Sequence, residues 1–355
     1  MPPSNPSINH DGTVPQYASK YAIETRGLTR VYESYRKPEG IWNSVKGFWN
    51  REYEKKTALA PTDLKIEGGQ ITGLVGANGA GKTTLLKLLS GLINPTSGEA
   101  QVLGFSPWKR QAEYLRQISI LLGQKNQLWW DIPAADSYDL LARIYDLDRT
   151  AARKRVNELA EMLLCRELLH VQLRRLSLGE RMKMEIIGSL LHRPAVLFLD
   201  EPTIGLDIVA QSTIRTFLTE YVERERPTII LTSHYMDDIS KLADRLLLIS
   251  KGSIVYDGTV DGFMGRAEPM QKLSMLISQP PAENIEIIPG VILAAGSSVF
   301  SAELPSRSIA STLQRIMGIS PIEELKVEEA NFEDVIRQFL EKESRLRSPS
   351  HRLTT

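Results

Sequence analysis

One glycine-rich segment has the residue types and spacing that phosphate binding requires: Gly76-Ala77-Asn78-Gly79-Ala80-Gly81-Lys82-Thr83-Thr84. Its glycines let backbone N–H groups approach phosphate oxygens, and a helix that begins behind them presents its positive end to the same anion. The ammonium of Lys82 suits the β- and γ-phosphates, and the hydroxyl of Thr83 is a ligand for Mg²⁺. Apolar runs at residues 71–75 and 85–93 flank the segment and predict the strand and the helix of such a loop. The sequence therefore predicts a nucleotide-binding site.

A second chemical feature is a pair of carboxylates, Asp200 and Glu201, at the end of the apolar run Ala195 to Leu199. A continuous apolar run predicts a buried parallel strand, and parallel strands present ligand-binding residues at their carboxyl ends. We expect Asp200 to hold Mg²⁺ through water and Glu201 to polarise the attacking water. Hydrolysis of a nucleotide requires both roles.

Three further segments come in a fixed order around this acidic pair. Leu176 to Arg181 contains a serine, Ser177, placed to cap the helix that follows, and a capped helix start is a second anion site. Thr203 to Asp207 comes after the acidic pair, and Thr228 to Ser233 predicts another apolar strand, which ends at His234. Each segment is a weak signal alone, but their order is specific.

Taken in this order, residues 22 to 265 resemble the nucleotide-binding subunit of an ATP-binding cassette (ABC) transporter. The resemblance implies an α/β fold: a P-loop cassette with a parallel core sheet, an antiparallel subdomain and a helical subdomain. It also implies ATP hydrolysis with Mg²⁺ by two copies paired head to tail, so that the phosphate loop of one and the signature helix of the other enclose each ATP. The segment Ala330 to Val335 resembles the closing segment of exporter-type cassettes, and Gln124 to Pro133 is similar to the daunorubicin- and viologen-exporter-like branch of that group.

The resemblance assigns roles to single residues as well. It implies that Leu176 to Glu180 is the signature motif, that Asp207 belongs to the D-loop, that His234 is the switch histidine and that Gln124 is the Q-loop glutamine. The implied catalytic residues are Glu201, His234, Gln124 and Lys82, and the implied Mg²⁺ ligands are Thr83, Gln124 and Asp200. The implied ATP contacts are Tyr32, residues 76 to 84, Ser177, Gly179, Glu180 and Asp207.

Two departures from the family pattern bear on these roles. The usual signature is LSGGQ, whereas here its third position is Leu178 and its fifth is Glu180. Leucine is a good helix former, so its cost there should be small. The chain also makes a long detour before Lys56, where many cassettes are shorter. Tyr32 looks like the aromatic residue that stacks on adenine, but this spacing leaves Tyr35 as a competitor.

The composition agrees with a subunit that works beside a membrane protein. Lysine plus arginine and aspartate plus glutamate number 43 each, so no global basic field favours nucleic acid. The single cysteine, Cys165, excludes an internal disulfide and a CxxC metal site, and we interpret it as a small residue on a helix. The sequence has no apolar run of about 18 residues and no charged, apolar leader. The sequence alone thus predicts no membrane span and no export. The resemblance implies a peripheral protein at the cytoplasmic face of the inner or plasma membrane, with separate transmembrane permease subunits as partners.

Composition divides the chain into four parts. Residues 1–21 and 344–355 are expected to be a disordered arm and a disordered tail. Residues 22–267 are expected to form the cassette, with a helical subdomain at 131–173, and residues 268–343 a small C-terminal α+β accessory domain. Residues 36–56 predict a short amphipathic helical insertion, which either packs on the cassette or faces lipid or permease.

Two other interpretations stay open. Trp129 and Trp130 either pack within the helical subdomain or contact the permease. For the function, the alternative is a soluble ABC ATPase acting in translation or DNA maintenance, although the sequence shows no tandem cassette, long coiled coil or zinc insertion of the kind usual in that class. A small-molecule kinase predicts neither the signature helix nor the acidic pair.

Overall fold

The computed structural model describes residues 20–35, 53–123, 126–233, 235–267, 270–328 and 332–346. The chain divides into two compact units, Met1–Asp257 and Gly258–Thr355. Each unit has a hydrophobic core of its own.

The first unit begins with three strands, continues with intermingled helices and strands, and ends with two strands. In chain order these elements are β1 (Tyr21–Tyr35), β2 (Tyr53–Glu67), β3 (Ile71–Val75), α1 (Lys82–Leu89), β4 (Ser97–Val102), α2 (Ala112–Leu115), β5 (Ile118–Leu122), α3 (Ala134–Ile144), α4 (Arg149–Met162), α5 (Leu178–Leu190), β6 (Val196–Asp200), α6 (Ile208–Glu225), β7 (Thr228–Thr232), α7 (Met236–Leu242), β8 (Arg245–Ser250) and β9 (Ser253–Gly258). Short 3-10 turns lie at Pro107–Lys109, Arg166–Leu168 and Leu173–Arg175.

A six-stranded sheet forms the centre of this unit, in the order β5-β6-β7-β3-β8-β9. The neighbouring strands from β5 to β8 are parallel. Every residue of β3, β6 and β7 is buried, which explains why their sequences are largely apolar rather than alternating. Because parallel strands end at one edge of the sheet, the residues that follow β3, β6 and β7 are brought close together there.

An antiparallel sheet, in the order β2-β1-β4, covers the start of the first helix. Strands β1 and β2 pair along their whole length. Leu28 and Leu59 of this sheet share one core with Leu85 of α1 and Phe198 of β6. The two sheets and α1 therefore form one packed body, which confirms the predicted α/β cassette with a parallel core sheet and an antiparallel subdomain.

The predicted helical insertion at residues 36–56 lies only partly within the described residues. Residues 53–56 belong to β2, where Lys56 pairs with Tyr32, so this end of the predicted helix is a strand. The ladder of main-chain hydrogen bonds to β1 outweighs the local amphipathic pattern here. Residues 36–52, including both tryptophans of the insertion, lie outside the part of the chain that the structure describes.

Helices α3 and α4 occupy the segment expected to be the helical subdomain, and both contact α5. Asp148 caps α4 by accepting a hydrogen bond from the N–H of Ala151 at 2.8 Å. The buried hydroxyl of Tyr138 donates to the carbonyl oxygen of Met184 at 2.9 Å. This bond ties α3 to the helix that carries the signature residues.

The single cysteine, Cys165, lies at the start of the 3-10 turn Arg166–Leu168 rather than within an α-helix. Its side chain is buried, and burial raises the pKa of the thiol to about 12. The thiol therefore stays protonated and unreactive, as befits a small core residue.

The second unit is a small α+β domain, as predicted. It contains α8 (Val260–Ala267), β10 (Met270–Ile277), β11 (Ile285–Ile288), β12 (Val291–Leu293), β13 (Val299–Pro305), α9 (Ser306–Met317), β14 (Ile322–Glu328) and α10 (Phe332–Leu346). Its main sheet has the order β13-β10-β14, and β11 and β12 form a separate hairpin. Leu273, Met275 and Phe300 of the sheet pack with Ile309 and Ile316 of α9 in its core.

The boundaries of these parts differ slightly from the expected ones. The second unit begins at Gly258 rather than after Ala267, because Phe263 of α8 packs edge-on against Phe332 and Phe339 of α10. Helix α10 runs through Leu346, into the segment expected to be a tail. Strand β1 likewise begins within the expected arm, whose first 19 residues lie outside the description. None of the helices in the described part of the chain combines the length and the apolar character needed to cross a bilayer.

Candidate functional site

The phosphate loop connects β3 to α1, as its sequence predicts. Gly81 precedes the first residue of α1 and has a φ of 117°, a conformation that favours glycine. A Cβ atom at Gly81 would also lie 2.5 Å from the carbonyl oxygen of Ala58 in β2. Any other residue there would therefore be strained and would push the loop away from the antiparallel sheet.

Lys82 is buried at the centre of this loop, with 5% of its surface exposed. Its ammonium donates to the carbonyl oxygens of Gly76 at 2.7 Å and Ala77 at 3.3 Å. Burial lowers the pKa of Lys82, while the nearby carboxylates of Glu201 and Asp200 act in the opposite direction. The loop thus holds the ammonium of Lys82 against two of its backbone carbonyls. Phosphate oxygens bound there would contact both the loop N–H groups and this charge.

The carboxylate of Asp200 joins two neighbouring strand ends to the phosphate loop. Its Oδ2 accepts a hydrogen bond from the hydroxyl of Thr83 at 2.9 Å. Its Oδ1 accepts one from the hydroxyl of Thr232, at the end of β7, at 2.7 Å. Thr83 and Asp200, which sequence reasoning paired as Mg²⁺ ligands, are therefore in direct contact.

Thr232 also holds the backbone of Glu201, the residue that follows Asp200. The N–H of Glu201 lies 3.0 Å from both the carbonyl oxygen and the hydroxyl oxygen of Thr232. Glu201 has a φ of 56°, in the left-handed region that non-glycine residues adopt only uncommonly. The strand end and this turn together set the direction in which the carboxylate points.

A cavity of about 140 Å³ lies where these groups meet. It is lined by Asn78, Gly79, Gly81, Lys82, Thr83, Thr84 and Glu201. The structure thus brings the phosphate loop and the proposed catalytic carboxylate to one space. The signature residues and Tyr32 are not part of this lining.

Gly123 packs the segment after β5 against the acidic pair. Its N–H donates to the carbonyl oxygen of Asp200 at 2.8 Å. A Cβ atom at Gly123 would lie 2.8 Å from that oxygen and would overlap the carbonyl oxygen of Glu201. Gln124, the next residue and a predicted Mg²⁺ ligand, lies outside the described residues.

The segment that continues from Gln124 is held by a buried carboxylate of α5. Glu185 accepts hydrogen bonds from the N–H groups of Gln127, at 3.1 Å, and Leu128, at 3.3 Å. Burial raises the pKa of Glu185, and these two N–H groups lower it. The loop segment and the signature helix are therefore joined by main-chain contacts to one side chain.

Trp129 and Trp130 follow in the same segment, and each residue is 42% exposed. The guanidinium of Arg181, in the first turns of α5, lies 4.9 Å from the centroid of the Trp130 ring, a cation–π contact. The two tryptophans are thus only partly covered, so packing within the helical subdomain does not account for their whole surface. Contact with a permease remains a proposal for them.

The signature residues form a capping box at the start of α5. The hydroxyl of Ser177 accepts from the N–H of Glu180, and the Glu180 carboxylate accepts from the N–H of Ser177. Gly179 lies against α6, because a Cβ atom there would come within 2.8 Å of the Ala210 Cβ atom. Asp207 caps α6 by accepting from the N–H of Ala210 at 2.9 Å. Signature and D-loop residues therefore share one surface.

A buried carboxylate, Asp238 of α7, joins the loops that follow β6 and β7. It accepts hydrogen bonds from the hydroxyls of Thr203 at 2.5 Å and Ser233 at 2.7 Å, and its other oxygen lies 3.5 Å from the guanidinium of Arg215. These contacts replace water around a charge that is only 1% exposed. They anchor the residues next to His234, which itself lies outside the described residues.

Tyr32 lies near the far end of β1, where its ring is 38% exposed. The guanidinium of Arg30 lies 4.6 Å from the ring centroid. The side chain of its competitor, Tyr35, lies outside the description. Tyr32 thus offers an exposed aromatic face, and its stacking on adenine stays a prediction.

Four positioning residues were not predicted from the sequence: Gly123, Glu185, Thr232 and Asp238. Only Glu185 carried a sequence signal, because it is a charged residue in an otherwise apolar part of a predicted helix. The other three gave none, since each of them contacts at least one residue that is more than 20 positions away in the sequence.

The residues present fit Mg²⁺. The hydroxyl of Thr83 and the carboxylate of Asp200 are hard oxygen ligands of the type that Mg²⁺ prefers. Within the described ranges, no group of three or more His, Cys, Asp or Glu side chains could hold a metal ion by itself. Mg²⁺ is usually bound through one or two carboxylates together with water and substrate phosphates, and Asp200 offers such a carboxylate next to the hydroxyl of Thr83.

The contribution of Thr232 can be tested by substitution. Thr232→Val keeps the shape of the side chain but removes the hydroxyl that contacts Asp200 and Glu201. We expect the rate of ATP hydrolysis to fall by about 10-fold or more, because small displacements of reacting groups slow a reaction strongly. The free energy of unfolding should fall by only about 1–2 kcal/mol. Thr232→Ser, which retains the hydroxyl, is the control and should keep most of the activity. A Val variant that hydrolyses ATP at the unaltered rate would remove this role from Thr232.

Comparison with known proteins agrees with this geometry. The model of the ABC transporter family matches residues 59–204. The chain is 33% identical over 210 residues to the ABC transporter ATP-binding protein NatA of Bacillus subtilis (strain 168), an alignment that covers 59% of this chain and 85% of that protein. It is 30% identical over 279 residues to the daunorubicin resistance ATP-binding protein DrrA3 of Streptomyces coeruleorubidus, covering 71% and 88% of the two chains.

The same fold occurs among solved structures. One is an ATP-binding cassette described as the dimeric structure of a post-hydrolysis state bound to ADP and Pi. It matches with a TM-score of 0.56 and 21% identity, over 67% of this chain and 98% of that one. The phosphate loop and the acidic pair meet at one edge of the sheet, and the order of the motifs agrees with these relatives. The chain belongs to the ATP-binding subunits of the ABC transporter family.

Proposed function

We propose that this chain hydrolyses ATP with Mg²⁺ and that ATP-dependent pairing of two copies drives a separate membrane permease. One observation carries the hydrolytic part of the proposal. Thr83, Asp200, Thr232 and Glu201 form a continuous chain of hydrogen bonds beside the phosphate loop. This arrangement places a carboxylate, fixed through its backbone, at the cavity that the loop lines.

Phosphoryl transfer to water needs positioning and charge stabilisation more than covalent help. Lys82 and the loop N–H groups orient and neutralise the phosphates, and Glu201 orients and polarises the attacking water. Thr83 and Asp200 would hold Mg²⁺, which neutralises phosphate charge when bound. By family resemblance, Gln124 and His234 complete the catalytic set.

Pairing of two copies is supported by the position of the signature residues. Ser177 is exposed at the start of α5, on the surface that also carries Asp207, and neither residue lines the cavity of its own chain. A helix start with an exposed serine suits an anion brought by another molecule. We infer that it contacts the ATP of a second copy, as in a head-to-tail dimer.

The direction of transport follows from the relatives. DrrA3 is named for daunorubicin resistance, and another relative, YbhF of Escherichia coli, is named a probable multidrug ABC transporter ATP-binding protein. We infer that this chain serves an exporter and works as a peripheral subunit at the cytoplasmic face of the membrane. Its permease partners would contact the exposed Trp129 and Trp130.

Affinity purification of the tagged full chain from detergent-solubilised membranes tests the transporter assignment. We expect a hydrophobic protein with several membrane spans to co-purify in stoichiometric amount, and ATP hydrolysis by the complex to exceed that of the subunit alone. Trp130→Ala should weaken co-purification, whereas Leu164→Ala, at another exposed apolar side chain, should not. Recovery with ribosomes or DNA instead of a membrane protein would favour the alternative, a soluble ABC ATPase in translation or DNA maintenance.

A further inference from the structure

The hydroxyl of Ser177 is hydrogen-bonded to the carboxylate of Glu180, in the first turn of the helix that Ser177 caps. The Glu180 carboxylate lies 2.8 Å from the Ser177 hydroxyl oxygen and 2.8 Å from the Ser177 backbone nitrogen, through the same carboxylate oxygen. The backbone N–H of Glu180 approaches the same hydroxyl at 3.3 Å. The hydroxyl therefore accepts from an N–H and directs its proton to the carboxylate.

This carboxylate has no cationic partner within the described residues. The Glu180 carboxylate is hydrogen-bonded to Ser177. The adjacent basic residue, Arg181, has its guanidinium over the Trp130 ring instead. Among the described residues, the donors to the Glu180 carboxylate are therefore the N–H and the hydroxyl of Ser177. The carboxylate lies one hydrogen bond away from the hydroxyl that we assign to the phosphate of a second copy.

A carboxylate and an amide behave differently at this position. The usual fifth residue of the signature, glutamine, is neutral and has both a carbonyl acceptor and N–H donors, whereas an ionised glutamate only accepts hydrogen bonds. Either side chain completes the capping box. Glutamate therefore preserves the helix start while it adds a negative charge beside the site that must receive a phosphate.

We propose that Glu180 restrains the ATP-bound pair of subunits and speeds its opening. The inference rests on the proposed function, because it concerns the contact of Ser177 with the ATP of another copy. When the phosphate arrives, the Ser177 hydroxyl exchanges its carboxylate acceptor for a phosphate oxygen. The carboxylate then loses one donor and faces a second anion, and both effects disfavour the closed pair.

The test compares two charge-removing variants in a Glu201→Gln background, which slows hydrolysis so that ATP-bound pairs accumulate. Analytical ultracentrifugation with saturating ATP and Mg²⁺ gives the dissociation constant of the pair for each protein. Glu180→Gln should lower this constant by at least about 10-fold and should slow dissociation after ATP is removed. The melting temperature should stay unchanged, since glutamine also forms the capping box.

Glu220→Gln is the matched control. This exposed glutamate lies in α6, about 18 Å along the helix from its first residue, and its removal should leave the dissociation constant unchanged. An equal or higher constant for Glu180→Gln, or an equal decrease for Glu220→Gln, would overturn the restraining role. If the Glu201→Gln parent forms no pairs with ATP, the proposed function itself fails and the inference fails with it.

Discussion

Replacing Glu201 by glutamine is expected to lower the rate of ATP hydrolysis by at least about 100-fold while ATP binding persists, which is the usual scale for the loss of a positioned base. Glutamine matches the size of Glu201 and keeps its backbone bonds to Thr232, but its amide cannot take a proton from the attacking water. The cavity lining places this side chain beside the phosphate loop. Phosphate release and equilibrium binding of a fluorescent ATP analogue measure the two quantities separately.

Lys82→Ala is the contrasting variant. Its ammonium is buried among the loop carbonyls, so its removal takes away the charge that faces the phosphates, and nucleotide affinity should fall. Hydrolysis by Glu201→Gln at the unaltered rate would show that another residue activates the water. Loss of binding in that variant would make Glu201 a binding residue rather than a base.

Replacing Ser177 by arginine is expected to abolish ATP-dependent pairing while each subunit still binds nucleotide. The long side chain would occupy the exposed helix start at which the phosphate of a second copy should arrive, and it would break the capping box with Glu180. The cavity of the same chain is lined by other residues, so nucleotide binding within one subunit should remain nearly intact. Light scattering of the Glu201→Gln protein, with and without ATP, measures the pairing.

Leu178→Gly provides the comparison for this experiment. Leu178 is the neighbouring residue, with 38% of its surface exposed, and glycine is the usual residue at this position of the signature. We expect this variant to pair with ATP nearly as the parent does. Persistent pairs in the Ser177→Arg protein would argue against a composite site formed by two copies.

Much of the fold was predictable because its signals are local. The buried strands β3, β6 and β7 are short, largely apolar runs, and the loop sequence before Lys82 predicts the turn into α1. The α+β character of the second unit followed from short apolar runs as well. Apolar runs predicted these elements because the residues of such runs are buried in a core.

Expectations failed where long-range pairing outweighs the local pattern. Residues 53–56 carry part of an amphipathic pattern but extend β2, because β1 offers them hydrogen-bond partners. The division between the units lies before α8 rather than after it, since the rings of Phe332 and Phe339 lie some 70 residues further along the chain from Phe263. A sequence pattern cannot show such a partner.

The sequence by itself determined the chemistry of this protein: the phosphate loop, the acidic pair and the signature segment with its Ser177–Glu180 spacing, which is already a capping-box pattern. The tertiary structure alone decided how these groups are held. Thr232 contacts both the carboxylate of Asp200 and the N–H of Glu201 only because β6 and β7 are neighbours in the sheet. The physical reason is that residue types and short spacings are fixed along the chain, whereas the contacts that aim a side chain depend on which strands and helices meet in space.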